Sequence, residues 1–89
     1  MEDILKSNLP LNEKNFWYSV GAKIQSRVKG IVQVFYDNIE NTIIIRTFFE
    51  KFNYTISNSF PCWLLIEETN VINQILDSIR FSVYKEIFK

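Results

Sequence analysis

The stretch that most limits how this chain can fold is Ile31 to Phe49, IVQVFYDNIENTIIIRTFF. Two runs rich in β-branched and aromatic residues flank the polar segment Asp37-Asn38-Ile39-Glu40-Asn41, which is the pattern of an antiparallel hairpin. Side chains alternate along a strand, so Val32, Val34 and Tyr36 share one face of the first run, and Ile43, Ile45 and Phe49 share one face of the second. An isolated hairpin is marginal in water. The remainder of the chain therefore has to cover those faces.

Covering elements can be read on both sides of the hairpin. Met1 to Ser7 reads as a short helical turn, stopped at Asn8-Leu9-Pro10 because proline disfavours helix at the residue before it. Asn12 to Gly30 fits two templates. As a helix it lines Phe16, Trp17, Val20, Ile24 and Val28 on one face, with Asn12 as N-cap and Gly30 as the stop. As a strand, apolar and polar residues alternate from Phe16 onward. Length and the two end signals favour the helix. Phe52 to Ser57 alternates Phe52, Tyr54 and Ile56 with Asn53, Thr55 and Ser57, which predicts a third strand ended by Asn58-Ser59-Phe60-Pro61. Cys62 to Ile66 reads as a short buried helical turn. Asn70 to Phe88 then carries the strongest helical periodicity, with Thr69 as N-cap and Ile72, Ile75, Leu76, Ile79, Val83 and Ile87 on one face.

The expected fold is thus a single α+β domain over residues 1–89. It is a three-stranded antiparallel meander with an N-terminal helix and two C-terminal helices packed mainly on one face of the sheet. With 47 % apolar and 22 % charged residues the composition is globular. No apolar run approaches the roughly 18–20 residues that span a bilayer, and the acidic N-terminal Glu2 and Asp3 do not read as a secretory signal. The single Cys62 precludes an internal disulfide, and a reducing, cytoplasmic setting is the simplest expectation.

The missing residue types narrow the chemistry. There is no histidine and only one cysteine, so a histidine-based triad, a Cys-His pair and a zinc site of nitrogen and sulfur ligands are not available. Two glycines, Gly21 and Gly30, cannot build a dinucleotide fingerprint or a phosphate-cradling loop. Glu67 and Glu68 are adjacent, and neighbouring helical residues diverge, so they read as solvated helix-end charges rather than as a metal pair. The expectation is a protein that is not an enzyme and takes no cofactor and no metal.

Two features exceed what one core needs. The second face of the hairpin holds Ile31, Gln33 and Phe35 on one strand and Ile44, Arg46 and Phe48 on the other; it is either covered by the first helix or N-terminal segment, or left exposed as a contact surface. On the last helix Phe81, Tyr84 and Phe88 fall on a ridge off the main stripe, where they either pack on Trp63 or meet a partner or a second copy. The expected partner-binding residues are therefore Gln33, Phe35, Ile44, Arg46, Phe48, Phe81, Tyr84 and Phe88, in a protein-binding module that is a candidate homodimer. A nucleic-acid-binding accessory protein is the alternative. Lys14, Lys23, Arg27 and Lys29 lie in a segment, 14–30, without an acid, and could contact phosphates together with Arg46 while Phe35 or Phe48 stacks bases. Charge runs are usually solvated faces, the ten basic and ten acidic residues cancel, and Lys29-Gly30-Ile31 lacks the aromatic of the common RNA-binding sheet.

The order of parts also carries a resemblance. Val34-Phe35-Tyr36-Asp37 before the turn, Thr42-Ile43-Ile44-Ile45 after it, Phe52-Asn53-Tyr54-Thr55-Ile56 and the closing Tyr84-Lys85-Glu86-Ile87-Phe88-Lys89 look like small proteins carried by phages and mobile elements of low-GC bacteria. The layout is similar to that of a Cas9 inhibitor among the anti-CRISPR proteins. That inhibitor family imitates DNA with an acidic surface, which a chain of zero net charge does not reproduce, and none of its contact residues carries over. The resemblance implies a general role, the binding of a host protein, with a defence effector such as a Cas nuclease among the candidates.

Overall fold

The computed structural model describes residues 1–62 and 66–82. The predicted hairpin forms β2 (Ile31–Asp37) and β3 (Thr42–Phe49), paired antiparallel from Ile31 opposite Phe48 to Asp37 opposite Thr42. Its turn closes on Asp37, whose Oδ1 accepts from the Ile39 and Glu40 amides at 3.0 and 3.3 Å. Asn41 takes the left-handed conformation at φ 52°, which asparagine tolerates better than most residues, and its Oδ1 accepts from the Tyr36 hydroxyl at 2.7 Å.

The sheet has four strands rather than three, in the order β1-β2-β3-β4 with every neighbouring pair antiparallel. The added strand, β1, is Glu2–Asp3 on the outer side of β2, opposite Tyr36 and Phe35. A single 3-10 turn follows at Ile4–Lys6, so the expected N-terminal helical turn holds for only those residues. Two residues are too few for a period of two to show, and β1 leads directly into Ile4, which is anchored in the core at 2 % exposure.

The strand β4 runs Tyr54–Pro61, longer than the expected Phe52 to Ser57. Phe52 instead closes a 3-10 turn, Glu50–Phe52, and Asn53 reverses the chain at φ 49°. The predicted stop at Asn58-Ser59-Phe60-Pro61 is overridden because Phe60 continues the alternation begun by Ile56 and finds a buried place opposite Ile43. Pro61 is harmless at a strand end whose missing N–H would point away from β3.

The first long helix, α1, is Leu11–Gln25. It starts one residue earlier than Asn12, after Pro10, and ends before Gly30, because Ser26 turns the chain: its hydroxyl donates back to the Lys23 carbonyl at 2.7 Å. Gly30 is needed for a different reason than helix termination. A Cβ there would sit 2.8 Å from the Phe48 carbonyl oxygen, so the start of β2 must pass close to β3. The second helix, α2, spans Glu68–Ser82 and begins before the expected N-cap, which places Thr69 inside it. Among the described residues there is one C-terminal helix, not two. Cys62 lies in a turn and Ile66 and Glu67 are not helical; residues 63–65 and the expected continuation of α2 to Phe88 lie outside the described residues.

Both helices lie on one face of the sheet. The core joins Trp17, Val20 and Ile24 of α1 to Val34, Ile43, Ile45, Phe49, Ile56 and Phe60 of the sheet and to Val71, Ile72, Ile75, Leu76 and Ile79 of α2. Trp17 stacks tilted on Phe60 at 5.6 Å between ring centroids and takes the edge of Phe16 at 4.9 Å. Gly21 lets α1 approach β2, since a Cβ there would come within 2.6 Å of Val34 Cγ2.

Candidate functional site

Every second residue of the sheet turns away from the helices, and among the described residues no element covers that side. The register sets three rows across it: Phe35, Ile44 and Ser59; Gln33, Arg46 and Ser57; Ile31, Phe48 and Thr55. Ile31 is 51 % exposed and Gln33 is exposed, while Phe35, Ile44, Arg46 and Phe48 are half-buried. The Arg46 guanidinium lies over the Phe35 ring, 5.2 Å from its centroid, which holds a planar cation above an aromatic face. The β4 side of the surface is polar, with Thr55, Ser57 and Ser59 all exposed. An aromatic and aliphatic centre with one arginine and a hydroxyl border is the composition that protein contact surfaces favour.

Of the sequence-predicted partner-binding residues, Gln33, Phe35, Ile44, Arg46 and Phe48 are brought together on this face. Phe81 is not part of it. It is 93 % exposed and falls on the opposite side of α2 from the stripe that packs on the sheet. Tyr84, Phe88 and Trp63 lie outside the described residues, so the expected aromatic ridge is represented by Phe81 alone. Ile31 was visible in the alternation and belongs to the surface as fully as Phe48 does.

The basic residues are not gathered. Lys14 and Lys23 are nine residues apart on α1, two and a half turns, which sets them on opposite sides of the helix. Lys23 forms an ion pair with Glu68 of α2, and its hydrogen bond holds the Glu68 carboxyl below the ordinary range. Arg27 and Lys29 follow α1 in the connection to β2 and are exposed. Because α1 lies on the helix side, Lys14 and Lys23 are across the sheet from Phe35 and Phe48. They do not form a stripe with Arg46.

Cys62 is half-buried, and burial followed by the charge of Glu13 raises its thiol above the ordinary value, which makes it less nucleophilic than a free cysteine. Tyr36 is raised in the same sense, first by burial and then by Cys62. Among the described residues no group of three or more Cys, Asp or Glu side chains could hold a metal ion, and no helix is long and apolar enough to cross a membrane. No family model, curated protein or solved structure matches this chain.

Proposed function

We propose that this protein acts by non-catalytic binding of another protein, with the open face of the sheet as its contact surface. One observation carries the reading: a sheet with both helices on one side presents Ile31, Phe35, Ile44, Phe48 and an arginine stacked on a phenylalanine on the other. Arginine and aromatic side chains are the types that dominate binding energy when a partner closes over them. The resemblance to phage and mobile-element proteins makes a host defence protein the partner class, with a CRISPR-Cas nuclease a specific candidate, and the cytoplasm the place where they meet. The nucleic-acid reading has less support, because the basic residues are split between the two sides of the sheet.

A photo-crosslinking residue at Gln33, compared with one at Asn73 on the solvent side of α2, tests the surface in host cells. The expected result is an adduct of one mass from Gln33 only, lost in Phe48→Ser, with the purified partner then binding wild type at least tenfold more tightly than Phe48→Ser. Equal adducts from both positions, or an affinity unchanged by Phe48→Ser, would remove the open face as the contact. Protection of a targeted phage in a Cas9-bearing host, measured with and without the protein, separately tests the partner class.

A further inference from the structure

The two edges of the sheet are treated differently. Along β2 the Val32 amide donates to Gln25 Oε1 at 2.8 Å, and Gln25 Nε2 donates to the Gly30 carbonyl. The side-chain amide of Gln25 thus takes the two bonds, one to each side of Ile31, that a residue of a parallel neighbouring strand would take. Further along, β1 pairs with Phe35 and Tyr36. Between them, a helix side chain and a two-residue strand occupy both ends of this edge, which is one of the ways proteins keep strand edges from pairing with strangers.

Among the described residues the other edge has no such strand or side-chain amide paired to it. In the sheet order β4 is terminal, and no described strand pairs with its outer side. The bond from the Cys62 amide to the Asn41 carbonyl at 3.0 Å fixes the phase of the ladder: even-numbered residues of β4 bond to β3, and Thr55, Ser57 and Ser59 turn their N–H and C=O groups outward. The strand is eight residues long, roughly 27 Å at about 3.4 Å per residue. It carries no charged side chain and, among its exposed positions, no lysine of the kind that blunts edges.

We infer that β4 pairs antiparallel with β4 of a second copy of this chain, joining two four-stranded sheets into one. Three properties point to a copy of itself rather than to another strand. The edge reads the same in both directions about Ser57: Thr55 meets Ser59 of the second copy, Ser57 meets Ser57, and hydroxyl pairs of this kind are favourable cross-strand neighbours. With no charge on the strand and a net charge of zero on the chain, two copies approach without repulsion. Among the described residues each molecule leaves one edge unpaired and guards the other, so pairing closes at a two-fold dimer instead of growing into a fibre. Pairing through the edge leaves Phe35, Ile44 and Phe48 uncovered and sets two such patches on one continuous surface. Edge pairing and face binding are separable, and either can hold without the other.

Sedimentation equilibrium on the full chain from about 1 µM to about 1 mM reads the association directly. The expected mass rises from 10.6 kDa toward twice that value with concentration. Ser57→Pro, which removes an outward N–H at a position where edge strands accept proline, is expected to stay monomeric across the range. Gln33→Lys, on the open face, is expected to associate as wild type does. Because Ser57→Pro can fail to fold, amide hydrogen exchange on the unmodified chain gives a second reading. The Thr55, Ser57 and Ser59 amides should gain at least tenfold protection between the dilute and concentrated ends, while Ile56, Asn58 and Phe60, already bonded to β3, should change little. A chain that stays monomeric at about 1 mM overturns the inference. So does a dimer that survives Ser57→Pro but is lost in Gln33→Lys, which would place the second copy on the open face. Protection of the three amides that appears only when a host protein is added would assign the edge to that protein's strand and overturn it as well.

Discussion

Ile44 and Ile45 are the same residue at consecutive positions of one strand, and they end in opposite surroundings. Ile45 is wholly buried between the helices and the sheet, with Ile43 and Phe49 beside it, whereas Ile44 lies half-covered on a surface that the described helices never reach. Apolar content alone therefore does not distinguish interior from open surface in this chain; the side on which the helices land does. A sheet apolar on one side and alternating on the other is normally half-wet. Here the wet side also carries Ile31, Phe35, Ile44 and Phe48 on β2 and β3, and that surplus is the basis of the proposed contact.

Truncating the two isoleucines should separate the faces most clearly. Ile45→Ala should lower unfolding free energy by about 2–5 kcal/mol, since it leaves a cavity among residues that cannot fully close on it. Against a total of about 5–15 kcal/mol, that is enough to leave part of the population unfolded at 37 °C. Urea melts followed by circular dichroism would show it, and a loss under about 1 kcal/mol would mean that the helices pack less closely on this face than the structure has them.

The contact of α1 with that same face should resist enlargement. Gly21→Ala puts a methyl 2.6 Å from the stiff, β-branched Val34 side chain, so the helix must shift, at a cost of about 1–3 kcal/mol despite alanine's better helix propensity. A stabilised Gly21→Ala variant would indicate that α1 has room above β2.

Thr47 is an exception within the buried face, and its replacement should move stability the other way. It is fully buried, and its hydroxyl oxygen has no hydrogen-bond partner among the described residues. Thr47→Val keeps the shape and removes the unsatisfied group, so a gain of about 1 kcal/mol is expected in the same melts. On the open side, Ile44→Ser should change stability by about 0.5 kcal/mol while weakening partner binding, and it is the control that keeps loss of binding from being read as loss of fold.

The parts legible in the sequence were those set by a repeating local pattern. The alternation from Ile31 to Phe49 predicted the hairpin, its turn and its two faces, and the spacing of Ile72, Ile75, Leu76 and Ile79 predicted α2 and its buried stripe. What was not legible depended on contacts distant in the chain. Glu2 and Asp3 become a strand only beside Phe35 and Tyr36. The polar run Asn58-Ser59 looked like a stop until β3 supplied eight residues for β4 to follow. Val71 lay within the expected helix but off its expected stripe, and it is wholly buried in the core. For the surface, Gln33, Phe35, Ile44, Arg46 and Phe48 could be grouped from alternation alone, but whether a helix covered them was a question of topology. Gln25 as a guard of the β2 edge gave no signal at all, because a glutamine near a helix end is ordinary until the neighbouring strand is in place.

The smallest effect concerns the tie between the two helices that defines the covered side. Lys23 on α1 and Glu68 at the start of α2 pair across the helix layer, with the lysine side chain 54 % and the glutamate 26 % exposed. Solvent screening keeps such a pair near 0.2–1 kcal/mol, so Lys23→Met should lower the melting temperature at neutral pH by only about 1–8 °C. The sign of its pH dependence follows from Glu68, whose carboxyl is held below the ordinary range by the Lys23 hydrogen bond. A carboxyl lowered in the folded state stabilises fully above its unfolded value, about 4.3, and that contribution fades as pH falls through the lower folded value. Wild type and Lys23→Met should therefore differ at pH 7 and converge as the pH is taken down through the acid range. If the gap between the two melting curves stayed constant from pH 7 to about pH 2, the loss in Lys23→Met would come from packing of the lysine stem on α2 rather than from its charge.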